Sequence, residues 1–284
     1  MTKDNILDKF YTKDEVAKHC VEQVLRYIDV SKMTVLEPSA GDGAFLPYFT
    51  KYIACDIAPQ NANILQKDFL SDDISMLLPA RNTIVTIGNP PFGKRSKLAI
   101  QFINKSFEYS DIVAFILPLQ FNKYSAQSQV YKDAKLIHSE ILPADSFLNN
   151  GKSYSVRCCF QIWSCNTNFV DLRVREKPIT KHPDFEMYQY NNTIEASKYF
   201  NKQVYKWDFA VPRQGYKDYS TKETNPDNMD RHTQWIFFKT SNEKILKRLQ
   251  NMDFEKLSKK NTSTPGFGKA DVIEEYNRLY DNVT

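Results

Sequence analysis

Only eight of the 284 residues are glycine, and four of these sit in two short segments, each directly behind a run of β-forming apolar residues. A chain so poor in glycine uses it where the backbone must turn tightly or come close to a ligand. The first segment is Leu36-Glu37-Pro38-Ser39-Ala40-Gly41-Asp42-Gly43-Ala44-Phe45, behind Thr34-Val35. The second is Gly88-Asn89-Pro90-Pro91-Phe92-Gly93, behind Thr83-Ile84-Val85-Thr86-Ile87. Loops placed this way belong to open α/β sheets, which bind ligands outside the carboxyl ends of their strands.

The intervening pattern predicts the same class. Thr12-Lys13-Asp14-Glu15 reads as a capping box, followed by Val16, Cys20, Val24 and Ile28 at helical spacing. Thr34–Glu37, Tyr52–Asp56, Thr83–Ile87, Ile112–Leu117, Leu136–Leu142 and Val156–Trp163 read as buried strands. A helix opened by Ser96 carries Leu98, Ala99, Phe102, Ile103 and Phe107 on one side, and the first glycine loop is expected to feed another helix. Strands alternating with helices predict a parallel sheet with crossover helices over residues 1–170. Residues 171–284 turn rich in Tyr, Asn, Lys and Asp, with weak periodicity. They read as an appendage holding a strand at Trp235–Phe238 and helices at Glu243–Leu249 and Val272–Tyr280.

With 42% hydrophobic, 13% aromatic and 25% charged residues the chain can bury a core, which excludes disorder and collagen. The longest apolar run, Ile112 to Leu117, is far short of the roughly 18 to 20 residues of a membrane span, and Met1-Thr2-Lys3-Asp4-Asn5 is no secretory leader, so a cytoplasmic protein is expected. Cys20, Cys55, Cys158, Cys159 and Cys165 form no Cys-x-x-Cys pair and have no nearby histidine partner, so buried thiols are expected and no metal site. Lys and Arg number 9 against 12 acids over residues 1–84, 9 against 5 over 85–165 and 20 against 17 beyond. A polyanionic partner is compatible with this basic shift and not demanded by it.

The glycine loop lacks the Lys-Ser/Thr of a P-loop and the third glycine of a dinucleotide fold, so it is no phosphate cradle. Cys55-Asp56-Ile57 ends the next strand with an acid able to accept both hydroxyls of a ribose. Lys67-Asp68-Phe69 adds a carboxylate for an adenine amino group and an aromatic for its face. In Asn89-Pro90-Pro91-Phe92 two prolines remove two amide donors and fix the backbone, so that the Asn89 side-chain oxygen and the Pro90 carbonyl can face one incoming NH₂ group. Phe92 offers a stacking face for a planar substrate.

These residues resemble a class I S-adenosylmethionine-dependent amino-methyltransferase, specifically a DNA adenine-N6 methyltransferase of the gamma motif order, over roughly residues 8 to 165. Phe10-Tyr11-Thr12 matches the N-terminal cofactor motif and Glu37 to Phe45 the glycine-rich motif. Asp56 with Ile57 matches the ribose site, Asp68-Phe69 the adenine site, and Asn89 to Phe92 the catalytic tetrapeptide. The resemblance implies a Rossmann-like α/β fold with a mainly parallel seven-stranded sheet and a small C-terminal recognition appendage. It implies S-adenosyl-L-methionine as cofactor, held by Tyr11, Thr12, Glu37, Ser39, Ala40, Gly41, Gly43, Asp56, Ile57, Asp68 and Phe69. It also implies a late-strand aromatic packing on the flipped base. Phe160 is the first match and Phe147 the second, although an aromatic in a strand is more often core.

Double-stranded DNA is the implied partner, with a cognate restriction endonuclease where the gene belongs to a restriction system. Lys152 and Arg157 are candidates for phosphate contacts. The candidates for reading bases are Arg213 to Lys217, Arg231 to Gln234 and Lys259-Lys260-Asn261. The same tetrapeptide occurs in RNA base methyltransferases and, with tyrosine last, in enzymes acting on release-factor glutamines. A catalytically silent subunit and a plain nucleic-acid-binding module are the readings from other classes.

Overall fold

The computed structural model describes residues 10–149, 151–215, 218–259 and 265–280. The chain divides into two compact units, Met1–Lys177 and Pro178–Thr284.

The first unit runs β1 (Tyr11–Thr12), α1 (Asp14–Tyr27), β2 (Thr34–Glu37), β3 (Tyr52–Asp56), β4 (Leu65–Gln66), β5 (Ile84–Gly88), α2 (Lys97–Tyr109) and β6 (Ile112–Pro118). It continues through α3 (Tyr124–Gln127), β7 (Lys135–Ile141), β8 (Phe147–Asn149), β9 (Lys152–Tyr154) and β10 (Cys158–Ser164). Seven strands form one sheet in the order β4-β3-β2-β5-β6-β10-β7. Neighbours from β4 to β6 are parallel, while β10 runs antiparallel to both β6 and β7. This is the Rossmann-like sheet of the class I methyltransferase fold. Strand order reverses at β2, so the carboxyl ends of β2, β3 and β5 open onto one crevice.

Period-two alternation sorts the sheet's two faces. Val113, Phe115 and Leu117 of β6 join Leu36, Cys55, Cys159 and Trp163 in the core under α2, whose Ala99, Phe102, Ile103 and Phe107 close it. Ala114 and Ile116 point the other way, into the core with Val16, Ala17, Cys20, Val21 and Val24 of α1. A helix with such a stripe on a sheet gains roughly 1.5–3 kcal/mol for each large apolar side chain it buries.

Three local expectations fail. Thr12 does not cap α1; it lies in β1, paired with Phe147, and Lys13 holds the N-cap position without a side-chain cap. Ser96 stands ahead of α2, but with φ 61° its hydroxyl is turned to Gln120 Oε1 at 3.4 Å rather than to the helix amides. The glycine loop does not feed an α-helix: Leu46–Tyr48 makes a single 3₁₀ turn around Pro47 before β3. A parallel crossover needs about a dozen residues in all. The turn at Gly41 and Gly43 consumes much of that length, which leaves no room for a helix.

The sequence also hid the β8–β9 hairpin, which with β1 forms a separate antiparallel sheet. The first unit reaches beyond residue 170. Leu172 N bonds Leu136 O at 2.8 Å, and Arg173 lies over the Trp163 ring, 4.8 Å from its centroid, while donating to Tyr131 O.

The second unit runs β11 (Glu186–Tyr190), α4 (Lys202–Tyr205), β12 (Phe209–Gln214), β13 (Gln234–Lys239), α5 (Glu243–Gln250), α6 (Phe254–Ser258) and α7 (Lys269–Tyr280). Its antiparallel sheet, β11-β13-β12, buries both faces. Phe209, Val211, Ile236 and Phe238 meet Leu249, Leu257, Val272 and Tyr276 of the helices. Trp235, Phe237 and Ala210 meet Tyr190, Phe200 and Trp207. The unit therefore carries its own core, more than an appendage requires. Asn242 caps α5 by accepting from the amides of Lys244 and Ile245. Among the described residues no helix is long and apolar enough to cross a membrane.

Candidate functional site

A cavity of about 250 Å³ opens at the carboxyl ends of β2, β3 and β5. Its walls include Tyr11 and Thr12 of β1, Glu37 to Gly41 of the glycine loop, Asp56 and Ile57 after β3, Asp68 and Phe69 after β4, and Asn89 and Pro91 after β5. Residues remote in sequence are thus brought to one place because β2, β3, β4 and β5 run parallel and end on the same edge.

Each wall is held by its own backbone. Gly41 has φ +55°, a conformation that favours glycine, and a Cβ there would lie 3.2 Å from the Tyr11 ring and crowd β1 where it closes over the loop. Its amide donates to Asp56 Oδ2 at 2.8 Å, and Ala58 N donates to Asp56 Oδ1 at 2.8 Å. Both carboxylate oxygens are thereby oriented, and each keeps a lone pair for a ligand hydroxyl. Asp68 Oδ1 accepts from Leu70 N at 3.0 Å. Ile57, 51% exposed, supplies apolar surface on the cavity wall.

Asn89 is fixed from two sides. Its Nδ2 donates to Phe10 O at 3.2 Å, and its backbone oxygen accepts from Ser39 Oγ at 3.3 Å. Its Oδ1 is buried and has no hydrogen-bond partner. Glu37 Oε2 shares that condition, at 2% exposure for the residue. Buried acceptors are nearly always satisfied, so two open ones in one cavity mark where donors of a ligand belong.

The cavity is acidic. Burial, and then Asp42 and Asp56, push the Glu37 carboxyl well above the usual carboxylate range. Burial also raises the Asp42 carboxyl, and burial with Asp42 and Asp56 raises the Tyr11 hydroxyl. The Cys55 thiol behind the wall is pushed up to about 12, chiefly by burial.

Not every expected residue reaches the cavity. Gly43, φ +91°, shapes the turn against Leu46. Pro90 and Phe92 fall outside the lining, and Phe92 packs half-buried on the core beside α1. Phe69 touches the cavity, but its ring belongs mainly to the core, 5.4 Å from Phe102, so it offers an edge more than a free face. Phe160 corrects the expectation of a base platform. At 0% exposure inside β10 it packs with the α1-side core, its ring 6.3 Å from His138, because a strand paired on both sides buries its side chains in the layers. Phe147 is also fully buried, yet its ring lies 6.4 Å from Phe10, a wall residue that stacks on Tyr154 at 4.6 Å.

Lys152 and Arg157 are exposed beside that hairpin. Arg213 is engaged within the second unit: its Nε donates to Phe267 O at 3.0 Å and its Nη1 to the Gln234 side chain, with burial lowering its pKa. The Arg231 guanidinium sits 3.6 Å from the Phe200 centroid. Tyr216, Lys217, Lys260 and Asn261 lie outside the described residues. Sequence reading gave no place in the site to the lining residues Ala58, Leu70, Leu98 and Phe102, and it named Phe10 and Asp42 only within their motifs, without a role of their own. Asp42, between two glycines, was the one with a visible signal.

The residues fit an adenosyl group: an acid at Asp56 with both oxygens oriented, a second acid at Asp68 with apolar surface at Ile57, and a glycine turn, all on one cavity. No protein-family model matches the sequence, and no curated protein sequence matches it. Among solved structures, a type I restriction-modification system methyltransferase subunit from Streptococcus thermophilus aligns with TM-score 0.43 and 18% identity over 58% of this chain and 46% of its own. PH1948 of Pyrococcus horikoshii, assigned as an RNA methyltransferase, aligns with TM-score 0.42 and 16% identity over 56% and 87%. The 23S rRNA methyltransferase ErmE aligns with TM-score 0.39 and 12% identity over 56% and 71%. The chain thus spans less than half of the streptococcal subunit. Likenesses this distant say nothing of its substrate.

Proposed function

We propose that this chain transfers a methyl group from S-adenosylmethionine to the N6 amino group of an adenine flipped out of duplex DNA, in the cytoplasm. The carrying observation is Asn89 Oδ1, a buried acceptor without a partner in a cavity otherwise suited to an adenosyl group. Asp56 would hold the ribose hydroxyls, Asp68 the adenine amino group, and Ile57 one face of the ring. The bound cofactor supplies an electrophilic methyl on a sulfonium.

A base stacked in a duplex cannot reach such a cavity, so the target must leave the helix. Asn89 Oδ1 then accepts one N6 hydrogen, and the second is assigned to the carbonyl of Pro90, which stands next to Asn89 in the chain and outside the lining of the empty cavity. This draws the nitrogen lone pair out of conjugation with the ring and aims it at the methyl. The anchors on Asn89, from Phe10 O and Ser39 Oγ, keep its oxygen from reorganising during the reaction. Nitrogen gives up one hydrogen to solvent after the transfer. Positioning and dipoles do the catalysis, which is why no acid–base pair beside N6 is needed. We assign target recognition to the second unit, and a restriction endonuclease reading the same site is the system partner this reading names.

The test is transfer of labelled methyl from S-adenosylmethionine to unmethylated duplex DNA, with RNA of matched composition in parallel and digestion to identify the modified nucleoside. N6-methyldeoxyadenosine is the expected product. Label on RNA alone would overturn the DNA assignment and keep the pocket chemistry.

A further inference from the structure

The cavity holds more acids than the ribose and adenine of an adenosyl group would use. Four of its lining residues are acids: Glu37 at the end of β2, Asp42 in the glycine turn, Asp56 at the end of β3 and Asp68 after β4. Lys67 is the single cation among the described lining residues, and Tyr11 is the other titratable group there. Behind the wall, the buried Cys55 thiol faces Glu37 and Asp56. Of the acids, Asp56 and Asp68 accept from backbone amides, and Asp42 from those of Asp42 and Ala44. Glu37 does not: its Oε2 is buried with no donor, and Gly88 of β5 brings only backbone against its stem.

A buried carboxylate with no donor and two acidic neighbours is costly to ionise, and such a group keeps its proton. Entry of a positive charge into the same cavity reverses the balance. We propose that Glu37, whose buried Oε2 has no partner and which lines the cavity with Asp42 and Asp56, is neutral in the empty cavity and ionises when a cationic ligand enters, so that the site binds S-adenosylmethionine with release of a proton and discriminates against its sulfonium-free product. This inference rests on the function proposed above and adds to it how product leaves. Methyl transfer breaks the S–CH₃ bond with its electron pair kept by sulfur, which removes the ligand's sulfonium charge. Glu37 then takes a proton back from solvent, and the product, which keeps its α-ammonium, loses only the part of its electrostatic hold that the sulfonium supplied.

Calorimetric titration of the intact chain with S-adenosylmethionine and with S-adenosylhomocysteine, in buffers of different ionisation heat and at several pH values, reads this directly. The expected result is release approaching about one proton per S-adenosylmethionine, less than about half of that for S-adenosylhomocysteine, and a preference for the former that grows as pH rises. Glu37→Gln should abolish the release and flatten the pH dependence of the preference. Should that variant misfold, Asp42→Asn leaves Glu37 in place and should move the pH at which release fades downward. Equal release for both ligands, or binding of both without release, overturns the inference and leaves the parent reading standing. Failure of S-adenosylmethionine to bind wild-type protein at any pH overturns both.

Discussion

Asn89 and Arg213 make an instructive pair. Each is a polar side chain at a strand end, and each resembles a ligand contact in the sequence. In the first unit, Asn89 is anchored through its amide nitrogen and backbone oxygen while its Oδ1 is left open. In the second unit, the Arg213 guanidinium is taken up by Phe267 O and Gln234. A polar group serves a ligand with the capacity that folding leaves over. The first unit leaves such capacity in one cavity, whereas Arg213 is committed to its own fold.

The largest effect expected from this contrast is on catalysis. Asn89→Ala should lower turnover by about 10² to 10³-fold, the usual cost of one preorganised group, with cofactor affinity nearly unchanged. Single-turnover methylation alongside calorimetric titration separates the two, and equal losses in both would sink the assigned role. Asp56→Ala should do the reverse. Loss of hydrogen bonds to a charged group, about 1.5–3 kcal/mol, weakens cofactor binding by roughly 10 to 100-fold. Next comes Arg213→Ala, which should cost about 1–3 kcal/mol in urea unfolding by leaving a buried carbonyl unpaired, with DNA affinity moving only as far as stability does. Lys152→Ala, at an exposed position, should leave stability alone, weaken DNA binding uniformly and lower the salt slope by about 1.

The smallest effect is on stability against pH. The Glu37 carboxyl lies above its ordinary value of 4.5 in the folded chain, so the fold binds a proton that the unfolded chain has already lost. Its contribution is fully present below that value and disappears as pH rises through the folded one. Unfolding of the empty protein followed against pH should show this decline, and Glu37→Gln should flatten it. A decline of the same slope in both proteins would show that Glu37 is not the group responsible.

Much of the first unit was legible in its sequence. The strands Thr34–Glu37 and Tyr52–Asp56 lie where apolar β-formers stop at an acid. The first run is buried on both faces and the second is buried at Ala54 and Cys55, and burial leaves a strong compositional trace. The glycines of the first loop were legible because few other residues tolerate their backbone. Phe160 was misread because an aromatic on a strand looks the same from the sequence whether it faces a layer or a ligand. The β8–β9 hairpin was missed because its strands are short and β9 is exposed along its whole length.

Local chemistry was therefore written in the chain: which segments turn, which strands are buried, and which acids and amides stand at their ends. Tertiary structure decided which of these groups share a cavity and which remain unsatisfied in it. Strand order placed Glu37, Asp56 and Asn89 on one edge, and β1 closed over Gly41 to bury what the glycine loop had left open. Hydrogen-bond capacity is divided among all neighbours in space, and sequence records only neighbours along the chain.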